Sequence, residues 1–513
     1  MDSIKDKMPL SPDHNAERLA KLKEIMPDIF TNEGKLNINE LKKVVDPELV
    51  NETERYEFRW FGKSKAKREA FTPTDATLVY DEDRSVNPET SENIIIEGEN
   101  LAVLKLLSKA YREKVKCIYI DPPYNKDKDF VYTDVWKSDK KDYWEDIETL
   151  EKGVKIDTNS ESDGRFHSNW LNMLYSRLLL ARQLLRKDGV IFISMDDAEI
   201  YHLRKLADLV FGEENFYSQL IVRANSRGQT YNQIAKTHEY ILVYTKSTEG
   251  DLKELEKGEE NSDLNLEDDI GKFNIRELRN RNPKFGKHNR PNLFYSIYLD
   301  PANSDKDGFF KISLTKEGSY TEKIEPFNSK GIESCWRWGK EKFKNNNQID
   351  TLKSNVVGKQ KQDGSYGVYE KYRKTTYKAK SIWNDNKFLT ETGTIDFKLL
   401  GFDGEFDFPK PVELIKRCIE LSTDENDLVL DFFAGAGTTG ESVYSLNSQT
   451  DNHRKFIIVQ IPERIEEDHV AFKAGYKKIS DITIERNKRV IEKIIEEKKA
   501  EQPDLFTDDK KED

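Results

Sequence analysis

The sequence predicts an α/β fold, a doubly wound sheet interrupted by an inserted, mostly β or irregular domain. Three observations carry that expectation. Short apolar runs at 93–97, 115–120, 190–195, 240–244, 427–431 and 455–461 alternate with segments of helical period. That alternation stops near residue 247 and resumes near residue 396. Between Gly271 and Lys380, twenty-four Lys and Arg stand against twelve Asp and Glu, a local basic excess in a chain of net charge -12. The expected division is an N-terminal extension (1–92), a first part of the α/β domain (93–246), the insertion (247–395), a second part (396–475), and a C-terminal helix with a polar tail (476–513).

The extension shows charged helical patterns around Ala16–Ile25 and Ile38–Val45. Arg59-Trp60-Phe61 and Phe71-Thr72-Pro73 follow, aromatics expected to pack on a neighbouring element. After the short strand at 93–97, Asn100 is the expected cap of a helix over Leu101–Tyr111. Val115–Ile120 then reads as a buried strand that stops at Asp121-Pro122-Pro123-Tyr124, where two prolines stiffen the turn. Open α/β sheets bind ligands at the carboxyl ends of their strands. A carboxylate, a rigid carbonyl and an aromatic ring held there suit methylation of a planar exocyclic amine. Asp121 can accept one N–H and the Pro122 carbonyl the other, while Tyr124 stacks on the ring.

Residues 125–161 are loop-like, with Phe130, Tyr132, Trp136, Tyr143 and Trp144 among charges, and read as a substrate-facing flap. Apolar residues from Trp170 to Leu185 recur at helical spacing, and Asp188-Gly189 separates them from the strand Val190–Met195. Asp196-Asp197 is expected to cap the helix 198–211. Ser247–Asp269 is acidic and reads as a linker. Within the basic region, Arg290, Arg337, Arg373 and Tyr377 are candidates for nucleic-acid contact.

Pro411 suits the first turn of a helix that carries Leu414, Ile415, Cys418 and Ile419. The strand ending at Asp431 leads into Phe432-Phe433-Ala434-Gly435-Ala436-Gly437-Thr438-Thr439, a Gly-rich turn before a helix, where free N–H groups can meet a ligand. It lacks the Gly-Lys-Ser/Thr of a Walker loop and the third glycine of a dinucleotide fingerprint. The next strand ends at Gln460-Ile461-Pro462-Glu463, which places Gln460 or Glu463 where a ribose hydroxyl could bind. A charged helix over 482–498 precedes the tail, in which Gln502–Phe506 resembles a bacterial sliding-clamp-binding peptide.

No run of some eighteen apolar residues occurs, and the first residues carry no apolar core of a secretion signal. Cys117, Cys335 and Cys418 lie far apart and none follows a proline, which fits a reducing cytoplasm and excludes a Pro-Cys nucleophile. The histidines make no zinc-like spacing with cysteine, so no metal is expected.

With both turn motifs in view, the sequence resembles the Mod subunits of Type III restriction–modification systems, DNA amino-methyltransferases of the β group. In that group the Asp-Pro-Pro-Tyr motif precedes the Gly-rich one, a circularly permuted order. The resemblance runs from Asn93 to Arg489 and includes Ile96–Asn100, Lys116–Asn125, His167–Met173, Gly189–Asp197, His238–Tyr244, Arg290–Leu293, Gly393-Thr394, Pro409–Pro411, Phe433–Thr439 and Val459–Glu463. It implies a Rossmann-like methyltransferase sheet and S-adenosylmethionine as methyl donor. It also implies a base-flipped target held by Asp121, Pro122, Pro123 and Tyr124, with the insertion as target-recognition domain. Phe433, Gly435 and Gly437 match cofactor positions, Asp431 the acceptor of the α-amino group, and Lys410 and Pro411 the segment completing that pocket. Gln460 stands where an acid is usual, leaving the ribose contact open between Gln460 and Glu463. Double-stranded DNA, a homodimer and a Res helicase–nuclease subunit are the implied partners. Adenine N6 is the implied target, since similar cytosine-N4 enzymes more often carry Ser where Asp121 stands.

Overall fold

The computed structural model describes residues 57–126 and 161–501, apart from 229–232, 258–263, 329 and 451, with isolated positions before residue 57 and four between 150 and 155. Most of the expected flap, most of the helices expected near 16–25 and 38–45, and the 502–506 peptide lie outside the described residues. Two compact units form: one from Met1–Lys253 with Lys380–Asp513, the other from Glu254–Ala379. The second is narrower than the 247–395 expected, because Ile382 and Trp383 pair with Ile221 and Val222 of the first unit's sheet.

The main sheet of the first unit contains β1 (Ile94–Glu97), β2 (Val115–Ile120), β3 (Leu185–Met195), β4 (Phe216–Arg223), β5 (His238–Thr245), β6 (Ile382–Trp383), β7 (Leu428–Asp431) and β8 (Lys455–Gln460). They form one sheet in the order β1-β8-β7-β2-β3-β5-β4-β6. The pairings from β1 to β3 are all parallel, and β5 runs antiparallel to both β3 and β4. Every residue of β2 is buried, as the apolar run required. The helices used below are α1 (Lys63–Phe71), α2 (Asn100–Ala110), α3 (Glu161–Leu184), α4 (Ile200–Phe211), α5 (Thr390–Leu399), α6 (Val412–Ser422), α7 (Thr438–Thr450) and α8 (Ile479–Glu501). Trp60, Trp170, Leu174, Leu178 and the β2 and β3 side chains share one core. The Trp60 indole donates to Asn172 Oδ1 at 2.7 Å, which fixes the aromatic stretch before α1 on α3. Among the described residues no helix is long and apolar enough to cross a membrane.

The expected cap of α2 is corrected. Glu99, one residue earlier, accepts from the amides of Leu101 and Ala102 at 2.9 and 2.8 Å. Asn100 is instead 1% exposed and donates to the Phe432 carbonyl at 2.8 Å, tying α2 to the start of the Gly-rich turn. A carboxylate accepts two amides at once and favours the helix N-terminus, so Glu99 wins the cap. Asp196 does bond the Ala198 amide (2.8 Å), but α4 begins at Ile200 and Glu199 stands at its cap without capping it.

The second unit is an antiparallel seven-stranded sheet, in the spatial order 322–324, 297–304, 309–313, 356–360, 366–372, 271–277 and 266–268. Trp336, Trp338, Ile297, Leu299 and Val368 form its main core, and Phe273, Phe309 and Val357 a smaller one. Lys371 is buried there against Asp268 (2.6 Å) and the Thr351 carbonyl (2.7 Å).

Arg177 on α3 is fully buried and donates to the Met173 carbonyl (2.8 Å), to Asn100 Oδ1 and to Glu99 (2.5 Å). It therefore holds both residues that start α2. Arg177→Met is expected to lower the unfolding free energy by about 3 kcal/mol, since the partners lose a buried donor. Urea denaturation measures this, and a change below about 1 kcal/mol contradicts the assignment.

Candidate active site

Parallel pairing sets Val429 opposite Cys117 and Leu430 opposite Ile118. Strands β7 and β2 therefore give out side by side, and the Gly-rich turn and the Asp-Pro-Pro-Tyr turn leave the same edge of the sheet. Glu97 pairs with Gln460 at the corresponding ends of β1 and β8. The sequence motifs that lie far apart along the chain are neighbours here.

Asp121 opens a cavity of about 950 Å³, walled in part by Tyr124, Asp196, Lys236, Glu239, Phe408 and Lys410. That is the upper end of the range of small-molecule sites. The Trp170 indole donates to the Pro123 carbonyl at 2.7 Å and fixes the turn from below. Lys410 then gathers the polar groups. Its ammonium donates to the Tyr124 hydroxyl at 2.6 Å and to Glu239 at 2.9 Å, and lies 3.4 Å from Asp121 Oδ1. The Tyr124 hydroxyl donates in turn to Glu239 Oε2 at 3.2 Å. Lys410 is placed by a close approach of α5: a Cβ on Gly393 would meet the Pro409 carbonyl and lie 2.9 Å from backbone atoms of Lys410 and Pro411.

Burial pushes the Asp121 carboxyl above the ordinary range, and the Lys410 charge partly opposes it. The Asp121 side chain nevertheless keeps 30% of its surface open to the cavity, so water moderates that rise. Burial also works against the charged forms of Lys410 and Glu239. Attraction wins: Asp121 and then Glu239 hold the lysine above its usual value, and the lysine's charge holds the glutamate below its own.

Asp431 is 2% exposed and accepts from the Phe433 amide (2.9 Å) and the Thr439 hydroxyl (2.5 Å). Burial lifts it to about 7, with the Asp121 charge adding to the rise. Gly435 and Gly437 both have positive φ, 52° and 83°. A Cβ on Gly437 would come within 2.6 Å of Asn487 Nδ2, so packing of α8 demands that glycine whether or not a ligand binds. The Gly435 amide donates to Gln460 Oε1 at 2.8 Å, and Gln460 Nε2 donates to the Ile461 carbonyl at 3.2 Å. Both ends of the Gln460 amide are thus committed to the turn. The Glu463 carboxylate makes no hydrogen bond or ion pair among the described residues, and burial raises its pKa.

Other expected residues fall elsewhere. Lys410 sits with Asp121 and Tyr124, and the cavity wall contains neither Gly435 nor Gly437. In the second unit, Arg337 is drawn inward to Glu370 (2.6 Å) and the Glu277 carbonyl (2.8 Å). Arg373 is likewise spent on Asp268 (2.7 Å) and the Gly271 carbonyl (2.7 Å). Both cations are satisfied within the sheet, which corrects the expectation that they are free to meet phosphate. Arg290 is exposed, its guanidinium 5.1 Å from the Phe285 ring centroid, and Tyr377 is half-buried. Sequence reading missed Glu239, Lys236 and Phe408. The available signal was a carboxylate at the mouth of an otherwise apolar strand, in His238-Glu239-Tyr240.

The permuted α/β sheet with a carboxylate–proline–aromatic turn beside a Gly-rich turn defines an amine-modifying DNA methylase. Residues 115–496 match the DNA methylase family, and the chain belongs to it. Within that family it is a Mod-type DNA methyltransferase of restriction–modification systems. It is 35% identical to the Type III restriction-modification enzyme EcoPI Mod subunit of Escherichia phage P1, over 93% of this chain and 75% of that relative. It is 32% identical to the Type III restriction-modification enzyme EcoP15I Mod subunit of Escherichia coli, over 92% of this chain and 75% of that one. Type II methyltransferase M.KpnI of Klebsiella pneumoniae is 32% identical over 82% of this chain and 94% of its own length.

With Asp121 expected to act as the ionised acceptor of the amine, its raised pKa is expected to make the rate fall at higher pH than an ordinary carboxylate would. Removing the opposing cation in Lys410→Met is expected to move this acid limb to higher pH. Removing a neighbouring negative charge in Glu239→Gln is expected to move it lower. Single-turnover pH–rate profiles test the pair, and limbs unmoved in both variants contradict the assignment.

Proposed function

We propose that the protein transfers a methyl group from S-adenosylmethionine to adenine N6 in double-stranded DNA. The observation that carries this reading is the Asp121–Tyr124 turn at the cavity wall, with Lys410 and Glu239 behind it. An adenine inside the duplex cannot reach Asp121, so the base leaves the stack, at a cost of a few kcal/mol. Tyr124 offers one face for stacking, and its hydroxyl is pinned by Lys410 and Glu239. Asp121 accepts one N–H of the amine and the Pro122 carbonyl the other, which leaves the nitrogen lone pair directed at the methyl. S-adenosylmethionine, when bound, supplies that methyl as an electrophile on a sulfonium. The amine loses its proton only after N–C bond formation makes it acidic, and Asp121 holds it at that stage. Orientation and preorganised charge carry the rate.

The Gly-rich turn is the candidate for the cofactor: Asp431, Phe433, Gly435 and Gly437 end or follow β7, which pairs beside β2 and its Asp-Pro-Pro-Tyr turn, and Pro411 completes the segment. Of the two ribose candidates, Glu463 is favoured because its carboxylate is uncommitted whereas Gln460 braces Gly435. The second unit, with its basic excess and exposed Arg290, acts as the target-recognition domain. A homodimer, a cytoplasmic location and a Res partner belong to the same reading, which the resemblance to Mod subunits supports. A second reading, a modification methylase that works without a nuclease subunit, is supported by the 32% identity to Type II methyltransferase M.KpnI.

Asp121→Ala is expected to abolish methyl transfer in a tritiated-methyl assay while leaving cofactor affinity, read by calorimetry, within about threefold. Retained transfer contradicts the role of Asp121. Nucleoside mass spectrometry of DNA methylated by the wild type is expected to show N6-methyladenine, and N4-methylcytosine overturns the base assignment.

A further inference from the structure

Beside the residue that follows Tyr124, a side chain of α3 meets two from the start of α4. His167 projects from α3, while Glu199 and His202 lie three residues apart at the start of α4, on one face. Glu199 is 1% exposed. Its Oε1 lies 2.5 Å from His167 Nδ1 and its Oε2 lies 2.8 Å from His202 Nδ1. The two rings sit 4.6 Å apart between centroids, each with more than a third of its side-chain surface open. One ligand atom from each residue lies within 4.8 Å of the others.

The carboxylate has no lysine or arginine partner among the described residues. A buried carboxylate needs a compensating charge. Hydrogen bonds from Asn125 and the two rings meet part of that need without a full charge. A divalent ion supplies it with both rings neutral and their Nδ1 lone pairs directed at the ion. We propose that His167, Glu199 and His202 form a binding site for a divalent transition-metal ion of the zinc, cobalt or nickel class. Two imidazoles and one carboxylate match those ions, whereas magnesium and calcium prefer oxygen alone. Tetrahedral ligands about 2.0–2.1 Å from an ion stand about 3.3 Å from one another. The half-open rings therefore need to withdraw by less than about 1 Å to admit it.

Asn125 supplies the supporting contact. Its Nδ2 donates to Glu199 Oε1 at 2.5 Å, while its backbone takes a left-handed φ of 58° directly after Tyr124. Such partners orient ligands and are part of a metal site's design. An ion at this position would hold the residue that follows the Asp-Pro-Pro-Tyr turn, through Asn125. The site goes beyond methyl transfer and does not depend on which base is modified.

The test uses the full-length protein, stripped with a chelator and titrated with Zn²⁺ by calorimetry. One equivalent is expected to bind. The His167→Gln/His202→Gln double variant, its fold checked by circular dichroism, is expected to lose at least about 100-fold in affinity, more than loss of a supporting group alone causes. Unchanged affinity in a folded double variant, or no stoichiometric uptake by the wild type, overturns the proposal. Should the double variant not fold, X-ray absorption of the zinc-loaded wild type decides. Two imidazoles in the first shell support the site, and a shell without imidazole refutes it.

Discussion

The active site depends on one lysine ammonium held largely out of water. Lys410 reaches Tyr124 across 286 positions of sequence and Glu239 across 171. Removing a cation from water costs several kcal/mol unless its neighbours are in place, and the same holds for Asp121 and Glu239. None of the three groups is comfortable alone. Together they offset one another, so the Asp-Pro-Pro-Tyr turn, the mouth of β5 and the segment before α6 are stable only as an assembled set. That mutual dependence explains why Gly393 allows α5 to come so close to the lysine's backbone.

The sheet makes this assembly possible. Parallel β7 and β2 end at one edge, so the Gly-rich turn and the Asp-Pro-Pro-Tyr turn, far apart along the chain, share a frame. The unit closes across its insertion because β6 returns to pair with β4. Packing then shapes each turn from outside. Trp170 supports Pro123 from α3, Asn100 holds the Phe432 carbonyl from α2, and α8 presses on Gly437. Part of the glycine pattern of the second turn therefore records helix packing, with ligand access as a further use of the same backbone.

Much of this was legible in the sequence because it is local. Apolar runs such as Val115–Ile120 can only be buried strands, two prolines must end one, and a Gly-x-Gly after a strand must turn. What is set by contacts between distant segments was not legible. Glu239 carried no motif, and its importance appears only when Lys410 arrives beside it. Asn100 looks like a cap by residue type, yet its amide is claimed by Phe432 and its neighbour Glu99 takes the amides. Arg337 and Arg373 looked available for phosphate because sequence shows charge but not the carboxylates and carbonyls that neutralise it. Likewise, spacing along the chain gave no hint that His167 would meet Glu199 and His202.

The claim that Lys410 binds the site together is tested most directly by a double-mutant cycle on stability, using Lys410→Met, Glu239→Gln and the pair. Coupling of about 1.5 kcal/mol or more is expected, as for contacting charges in one network. Additive effects within about 0.3 kcal/mol would show that the lysine and glutamate act independently, and the account of how the site is held would fail.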